Sequence, residues 1–225
     1  MSTKIYHGSD KIIQKPQFGI GKTYNDYGLG FYCTYNLDMA KEWGVDLGKD
    51  GYANCYEIED DKLSILDLNS KDYCMLHWLG ILLENRTFDM PSVLSVEARK
   101  YIRDNFYVDY ENYDVIIGYR ADDSYFSFAQ DFINGTISYR QLCKAMQLGK
   151  LGKQYVLKSK KAFEKIKYLD CEMAKSSEWY VRKNNRDKKA RRDYFDIEKN
   201  KRVKGDIYIT NIIDEEMKWY DARLR

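Results

Sequence analysis

The sequence contains few of the residues that build disulfide frameworks, metal sites or rigid linkers. Its five cysteines lie far apart without a C-x-x-C pair, and it has two histidines and two prolines. We therefore expect no disulfide framework, no metal site and no proline-rich linker. No stretch approaches the about 20 consecutive apolar residues of a membrane-spanning helix, and the first residues lack the order of a signal peptide. These absences predict a soluble, cytoplasmic protein without a membrane partner.

The composition is that of a folded chain. Of the 225 residues, 44% are hydrophobic and 32% are charged, which is enough apolar content for a buried core. This length suits one large domain better than two separate cores. We expect a domain over residues 1–174 and a basic helical extension over residues 175–225 that packs on the same domain.

Basic charge is concentrated in one segment, although the formal net charge is only +2. Residues 175–205 carry twelve Lys and Arg against five Asp and Glu, a local charge of +7, whereas the remainder carries −5. One interpretation is a solvated helix face. The other is a surface for nucleic acid or for an acidic protein such as an antitoxin. Both interpretations stay open, because no recognised nucleic-acid-binding module accompanies the segment.

Apolar periodicity and capping residues predict a mixture of strands and helices. Apolar runs predict strands at 4–7, 31–34, 52–58, 63–68, 115–117 and, as the final strand, 154–157. Helical spacing predicts helices at 37–43, 72–83, 93–106, 121–133, 138–148, 190–199 and 212–222. N-caps are predicted at Asn36, Ser138 and Ser159, and a short extended piece at 207–209. Because strands and helices do not alternate regularly, the pattern favours an α+β fold.

Motifs of the most widespread enzyme families are missing. The chain has no G-x-x-x-x-G-K-[ST] phosphate loop, no nucleophile elbow, no H-E-x-x-H zinc motif and no G-x-G-x-x-G after a strand. A function therefore has to be inferred from a less common combination of residues.

The informative combination lies near the N-terminus. Tyr6-His7-Gly8-Ser9 ends the first predicted strand, and Gly28-Leu29-Gly30-Phe31-Tyr32 leads into the second. Trp43 follows Tyr32 after ten intervening residues. This set resembles the ADP-ribosyltransferase superfamily, in the branch that contains the poly-ADP-ribose polymerases and diphtheria-type toxins, and small bacterial members are similar over nearly the whole chain. The resemblance implies a split antiparallel sheet with flanking helices and NAD as substrate.

By this resemblance, the motif residues bind NAD. His7 would bond a hydroxyl of the adenosine ribose. Gly8 would let the backbone approach the nicotinamide amide, and Ser9 would add a hydroxyl to the same amide. Tyr32 and Trp43 would enclose the cationic pyridinium ring. The implied binding set is His7, Gly8, Ser9, Gly30, Tyr32 and Trp43.

The third catalytic position of the resemblance, after His7 and Tyr32, is Gln154. Well-studied relatives carry a glutamate there, which bonds the nicotinamide ribose. An amide keeps the hydrogen bond but supplies no negative charge to an oxocarbenium-like transition state. Asp122 and Asp123 are candidates for a substitute carboxylate, and capping of the helix that follows them is the other interpretation.

The resemblance implies a mono-ADP-ribosyltransferase that moves ADP-ribose from NAD to a protein or nucleic-acid acceptor and releases nicotinamide. It also implies a role as the toxin of a bacterial toxin–antitoxin or phage-defence pair. Two alternatives stay open. One is a non-catalytic module that binds NAD or ADP-ribose, which Gln154 favours, and the other is a nucleic-acid-binding module that uses residues 175–205. His77 is interpreted as a packed helix residue.

Overall fold

The computed structural model describes residues 2–121, 123–199 and 202–225, which form seven strands and eight α-helices. The strands are β1 (Ser2–Ser9), β2 (Phe31–Thr34), β3 (Gly51–Glu59), β4 (Ile65–Asp67), β5 (Val115–Gly118), β6 (Gln154–Leu157) and β7 (Ile166–Ala174). The helices are α1 (Leu37–Gly44), α2 (Met75–Asn85), α3 (Val93–Asn105), α4 (Asp123–Ile133), α5 (Tyr139–Ala145), α6 (Lys160–Glu164), α7 (Ser176–Lys199) and α8 (Ile209–Asp214). The predicted α+β class is confirmed. No helix within the described ranges is long and apolar enough to cross a membrane.

The strands form one mixed sheet in the order β4-β5-β6-β2-β1-β3-β7. Every neighbouring pair is antiparallel except β4 and β5, which run parallel. β1 pairs with β3 along its whole length, from Ser2 opposite Glu59 to Ser9 opposite Tyr52. The two earliest strands of the chain, β1 and β2, are therefore central in the sheet.

Local sequence signals start the helices that flank the sheet. The Met39 N–H donates to Asn36 Oδ1 at 3.1 Å, where α1 begins. Ser138 and Ser159 cap α5 and α6 in the same way. In each case a side-chain oxygen satisfies a backbone donor that the first helical turn leaves unpaired. The three predicted N-caps are confirmed.

Both faces of β6 are buried, which explains its apolar run from Tyr155 to Leu157. In β6, Tyr155 and Leu157 belong to a cluster with Phe31 on one face. Val156 joins Ile116 in the larger cluster on the other face, where α2, α4 and α5 pack. Successive side chains of a strand point to opposite faces, so a strand between two hydrophobic layers needs apolar residues at every position.

Residues 175–225 share the core of the preceding chain. Trp179 near the start of α7 is buried, and Ala190 and Tyr194 further along α7 belong to the large cluster. Ile212 of α8 lies in the same cluster. α7 also packs against α1, α4 and α5. The C-terminal helices are thus part of the same hydrophobic core.

The structure differs from the prediction in the later strands and helices. β7 follows β6, so the strand at 154–157 is not the final one. β7 is an edge strand whose side chains are mostly exposed, and it lacks the apolar pattern by which strands are identified. Residues 207–209 are not a strand, because Ile209 begins α8, which ends at Asp214 instead of continuing to residue 222. Of this three-residue stretch only Ile209 is helical, and its side chain is buried in the large cluster.

Asp206 attaches the segment before α8 to α5. Its carboxylate accepts from Arg140 Nε at 2.6 Å and Nη2 at 2.9 Å, and from the Val203 N–H at 2.9 Å. The bonds from Arg140 lower the pKa of Asp206 from 3.8 to about 2. Because this carboxyl is more acidic in the folded state, the stabilisation is complete above about pH 4 and is lost as the pH falls toward about 2.

We expect Asp206→Asn to reduce the free energy of unfolding at pH 7 by about 1–3 kcal/mol, measured by denaturant titration. The difference from the wild type should shrink between about pH 4 and pH 2, where the wild-type carboxyl also becomes neutral. A variant as stable as the wild type at pH 7 would show that the contact with Arg140 does not hold this segment.

Candidate functional site

A cleft opens where β1 and β2 separate. The two strands are paired at a single position, Tyr6 opposite Thr34, and they diverge toward the end of β1 and the start of β2. His7 lies on β1 and Tyr32 on β2 at this divergence. One hydrogen bond spans it, from His7 Nδ1 to the Tyr32 carbonyl oxygen at 2.7 Å. The residues of the two N-terminal motif segments therefore meet at the same gap in the sheet.

A cavity of about 810 Å³ occupies this cleft. Its volume is within the range of about 300–1,000 Å³ that is typical of small-molecule sites. Six of the seven residues singled out from the sequence line it: His7, Gly8, Gly30, Tyr32, Trp43 and Gln154. These residues come from three strands and a helix, and the fold brings them to one place.

The cavity wall is predominantly basic. Among the described residues, its ionisable lining other than His7 and Tyr32 consists of Asp26 and five basic side chains, Lys15, Lys22, Arg86, Arg120 and Lys183. Arg86 forms an ion pair with Asp26, with Arg86 Nη1 3.0 Å from Asp26 Oδ1. The remaining excess of positive charge favours an anionic ligand.

His7 is held in a defined tautomer. Its ring stacks on Phe31 with a centroid distance of 4.2 Å and an interplanar angle of 26°. Burial lowers the pKa of His7, while the bond to the Tyr32 carbonyl opposes that shift. The imidazole is therefore neutral at neutral pH. Because Nδ1 carries the proton donated to Tyr32, Nε2 keeps a lone pair and can accept a hydrogen bond.

The hydroxyl of Tyr32 is used by the protein itself. It donates to the Gly28 carbonyl oxygen at 2.6 Å and accepts from the Tyr27 N–H at 3.0 Å. Burial raises the pKa of Tyr32, so the hydroxyl stays protonated. The ring lines the cavity while its oxygen holds the Tyr27–Gly28 turn. What this side chain offers a ligand is therefore an aromatic surface.

Trp43 carries a cation on one face. The Arg120 guanidinium carbon lies 3.9 Å from the centroid of the Trp43 ring, which is a close cation–π contact. The indole Nε1 of Trp43 is buried and has no hydrogen-bond acceptor among the described residues. Trp43 thus presents a surface that accepts a flat cation and a buried donor that a ligand could satisfy.

Gln154 stands beside a buried carboxylate. Its Nε2 donates to Asp26 Oδ2 at 3.4 Å, and the exposed fractions of the two residues are 6% and 5%. Asp26 also accepts from the Ala121 N–H at 2.8 Å. Gln154 Oε1 is buried and has no donor within the part of the chain that the structure describes. The site therefore contains both a negative charge and an unsatisfied acceptor.

Comparison with known proteins assigns the chain to a family. Residues 3–168 match the model of the family described as DUF3990, a protein of unknown function. The chain belongs to the DUF3990 family. No curated protein and no solved structure matches it. The matched range contains β1 to β6 and all seven residues singled out from the sequence, whereas α7 and α8 follow it.

In this DUF3990 protein, two site glycines have packing roles. A Cβ atom at Gly8 would lie 2.1 Å from the Ala40 carbonyl oxygen of α1 and 2.8 Å from Trp43 Cβ. One at Gly30 would lie 2.7 Å from Val156 Cγ1 of β6. Gly8 therefore lets α1 lie close on β1, and α1 occupies the space that a Cβ atom at this position would need.

Ser9 is the predicted residue that does not line the cavity. Its hydroxyl donates to the Lys11 carbonyl oxygen and lies 3.4 Å from Asn54 Nδ2, which donates to it. Asn54 Oδ1 also accepts from the Ile13 N–H at 2.8 Å. Ser9 therefore helps Asn54 hold the loop after β1, and the predicted bond from Ser9 to a nicotinamide amide does not agree with this arrangement.

Asp26 is a carboxylate next to Gln154, and the prediction of Asp122 or Asp123 as a substitute carboxylate stays a prediction. Asp122 and the side chain of Asp123 lie outside the described residues. Asp26 is part of the same stretch as Gly28 and Gly30, but an aspartate in a glycine-rich loop suggests a turn and does not suggest burial. The signal that could have identified it is its position six residues before Tyr32, on the loop that must cross the cleft.

α7 reaches the DUF3990 cavity with one side chain, Lys183. Arg186, one turn further, forms a buried ion pair with Glu42 of α1 at 2.7 Å. Several other basic residues of the segment are paired with acidic ones: Lys175 with Asp50, Arg182 with Glu178, Lys189 with Asp193, and Arg191 with Asp187. Of these acidic partners only Asp50 and Glu42 lie outside residues 175–205, so the pairs with them offset part of the local charge of +7.

His77 lies in α2 and does not line the cavity. Its Nδ1 accepts from the Cys74 N–H at 3.0 Å, and its ring packs edge-on against Phe106. The prediction of a packed helix residue is confirmed.

Proposed function

We propose that this protein cleaves NAD at the nicotinamide glycosidic bond and transfers ADP-ribose to a macromolecular acceptor. The observation that carries the proposal is that His7, Gly8, Gly30, Tyr32, Trp43 and Gln154, chosen from the sequence, line one cavity. These residues come from β1, β2, β6, α1 and the loop before β2, and they meet at one surface that a ligand can reach. The parting of β1 and β2 at His7 and Tyr32 supports the split-sheet ADP-ribosyltransferase fold as part of the same proposal.

The electrostatics of the cavity suit the anionic pyrophosphate of NAD. Lys15 and Lys22 lie on the wall, where their ammonium groups can bind phosphate. His7 Nε2 accepts from a hydroxyl of the adenosine ribose, and Tyr32 and Trp43 offer aromatic surfaces to the pyridinium ring. Each part of the dinucleotide therefore has a chemically matched part of the wall.

The two buried polar atoms without partners also fit NAD. Trp43 Nε1 can donate to a ligand oxygen, and Gln154 Oε1 can accept from a hydroxyl of the nicotinamide ribose. Stacking of the pyridinium on the face of Trp43 that Arg120 covers requires Arg120 to move, and the pyrophosphate offers its guanidinium a new partner. Binding would thus exchange one cation on the indole for another.

In the proposed reaction, the bond between ribose C1 and the pyridinium nitrogen breaks, and its electron pair leaves with nicotinamide, which becomes neutral. A nucleophile of the acceptor bonds to C1 and loses its proton to solvent. The positive charge that develops on the ribose before the acceptor bonds is the charge that the site has to stabilise.

The deciding experiment incubates the purified protein with NAD labelled in its adenylate part and with cell extract, and then treats samples with protease or nuclease. We expect nicotinamide release and a labelled acceptor that only one of the two treatments destroys. Tyr32→Ala should abolish both signals. If the wild-type protein consumes no NAD and labels nothing, the proposal fails. A toxin role further predicts growth arrest on expression, which Tyr32→Ala should relieve.

Gln154 favours a second candidate function, a non-catalytic sensor of NAD or ADP-ribose, because an amide replaces the expected carboxylate. A rise in the melting temperature with NAD, without nicotinamide release in any extract, would support it.

A nucleic-acid-binding function of residues 175–205 would be marked by steep dependence of affinity on salt concentration. The ion pairs of Lys175 with Asp50 and of Arg186 with Glu42, which offset two of its basic charges, weaken that candidate.

A further inference from the structure

Asp26 determines how the Gln154 amide can be oriented. A carboxylate only accepts hydrogen bonds, so the amide has to turn its NH₂ group toward Asp26 Oδ2, which lies 3.4 Å away. Its oxygen then points away from Asp26. That oxygen is buried and lacks a donor among the described residues, and Gln154 lines the cavity. The arrangement presents a carbonyl oxygen at the position where a catalytic carboxylate is expected.

Asp26 is itself fixed by the fold. Its Oδ1 accepts from Arg86 Nη1 at 3.0 Å, and its Oδ2 accepts from the Ala121 N–H at 2.8 Å. These bonds connect the loop after β1 to the residues after α2 and β5. A purely structural clamp would explain them. It would not explain why the amide beside the clamp is buried at the cavity with an unsatisfied oxygen, which costs free energy unless a ligand bonds to it.

We infer that Asp26 is a positioning residue for NAD cleavage, which orients Gln154 as a hydrogen-bond acceptor and supplies the negative charge that its amide lacks. This inference rests on the proposed function. When the glycosidic electron pair leaves with nicotinamide, positive charge develops on the ribose. Asp26 pairs with Arg86 through Oδ1, and through Oδ2 it polarises the Gln154 amide, so that the amide oxygen carries more negative charge where the ribose becomes positive.

Four proteins distinguish the catalytic contribution of Asp26 from that of Gln154. They are the wild type, Asp26→Asn, Gln154→Glu and the double variant Asp26→Asn/Gln154→Glu. The double variant exchanges the two groups and keeps one carboxylate and one amide in contact. The matched control for Asp26→Asn is Asp61→Asn, an exposed aspartate between β3 and β4. The readouts are kcat and KM for nicotinamide release, and the melting temperature.

We expect Asp26→Asn to lower kcat by about 10- to 100-fold with KM changed by less than about threefold, because charge stabilisation acts in the transition state. The double variant should recover most of that loss, since the carboxylate then stands at position 154 itself. Asp61→Asn should behave as the wild type. A kcat of Asp26→Asn equal to that of the wild type, or a double variant no better than Asp26→Asn, overturns the inference.

A second measurement needs neither catalysis nor a stable Asp26→Asn protein. Gln154→Glu places two carboxyl groups in contact, which raises the pKa of one of them in the folded state. Between the ordinary glutamate pKa of about 4.3 and that raised value, the folded state binds more protons than the unfolded state, so stability falls as the pH rises. We expect the melting temperature of Gln154→Glu to fall relative to the wild type between about pH 4.5 and pH 7.

The matched control for this measurement is Gln147→Glu, at an exposed glutamine. It should show no such pH-dependent difference. If the melting temperature of Gln154→Glu changes with pH as that of Gln147→Glu does, residue 154 does not contact Asp26. This result would overturn the inference whether or not the wild type cleaves NAD. A wild type that cleaves no NAD while Gln154→Glu shows the pH effect overturns the proposed function and limits Asp26 to orienting Gln154. The two failures are therefore distinguishable.

Discussion

Replacing His7 with phenylalanine is expected to lower nicotinamide release from NAD at least about 100-fold, although the protein should still fold. The new ring can keep the stack on Phe31, which spans 4.2 Å between centroids. It cannot donate to the Tyr32 carbonyl oxygen across the gap between β1 and β2, and it cannot accept from a ribose hydroxyl. Loss of a contact to the remote adenosine end should reduce kcat as well as affinity, because that binding energy positions the reacting ribose. Chromatographic measurement of nicotinamide, together with the melting temperature, tests this.

The matched control is His77→Gln. His77 lies outside the cavity, and glutamine can still accept from the N–H at the start of α2, as glutamine does in a capping box. This variant should retain kcat and KM. Wild-type turnover by His7→Phe would exclude His7 from NAD binding.

Titration of His7 should make both the stability of the protein and its affinity for NAD depend on pH. Because burial lowers its pKa below 6.5, the unfolded state binds the proton first as the pH falls. Stability should therefore decrease as the pH drops from about 6.5 to the lowered value and then level off. Protonation also removes the Nε2 lone pair, so NAD affinity should fall over the lower part of the same range. His7→Phe should lose the contribution of this group to the pH slope of stability, measured by thermal unfolding.

Gly8→Ala is expected to reduce the free energy of unfolding by about 3 kcal/mol or more, or to prevent folding. The added methyl group would lie 2.1 Å from the Ala40 carbonyl oxygen and 2.7 Å from the Gly44 backbone nitrogen. Both contacts are to backbone atoms of α1, which cannot move aside as a side chain does. Relief requires α1 to move away from β1, and Trp43 moves with it. Denaturant unfolding measures the loss.

Gly48→Ala is the control for glycine replacement as such. Gly48 has a φ of +69° and no heavy atom within 4 Å of an added Cβ, so alanine there costs only the left-handed backbone conformation, about 1–2 kcal/mol. If Gly8→Ala is as stable as the wild type and loses only NAD binding, position 8 faces the ligand and the packing explanation is wrong.

The sequence was sufficient where short-range physics decides the structure. β2 and β6 have the predicted bounds, because continuous apolar runs between turns specify buried strands. The caps of α1, α5 and α6 follow from one side chain and one backbone donor a few residues away. β7 was missed because an edge strand is stabilised by hydrogen bonds to its neighbour, here β3, and these leave no apolar pattern in its own residues.

The residues of the candidate site also fall into two groups, those that the sequence predicts and those that only the fold brings together. His7, Tyr32, Trp43 and Gln154 are implied by the resemblance of the sequence motifs to a known superfamily, and the fold brings them to one cavity. Asp26 and the basic residues of the wall were not selected. Their side chains become neighbours only when the loop after β1, the end of α2 and α7 reach the cleft from distant parts of the chain.

The amino-acid sequence alone determined the α+β class and most element positions, since these depend on interactions between residues close in the chain. Only the tertiary structure decided that Gly8 lets α1 pack closely on β1, that Ser9 bonds to Asn54 in holding the loop after β1, and that a buried aspartate lies beside Gln154. Those contacts join residues tens to more than a hundred positions apart. Which distant groups meet depends on the packing of the whole core, which has no local signature.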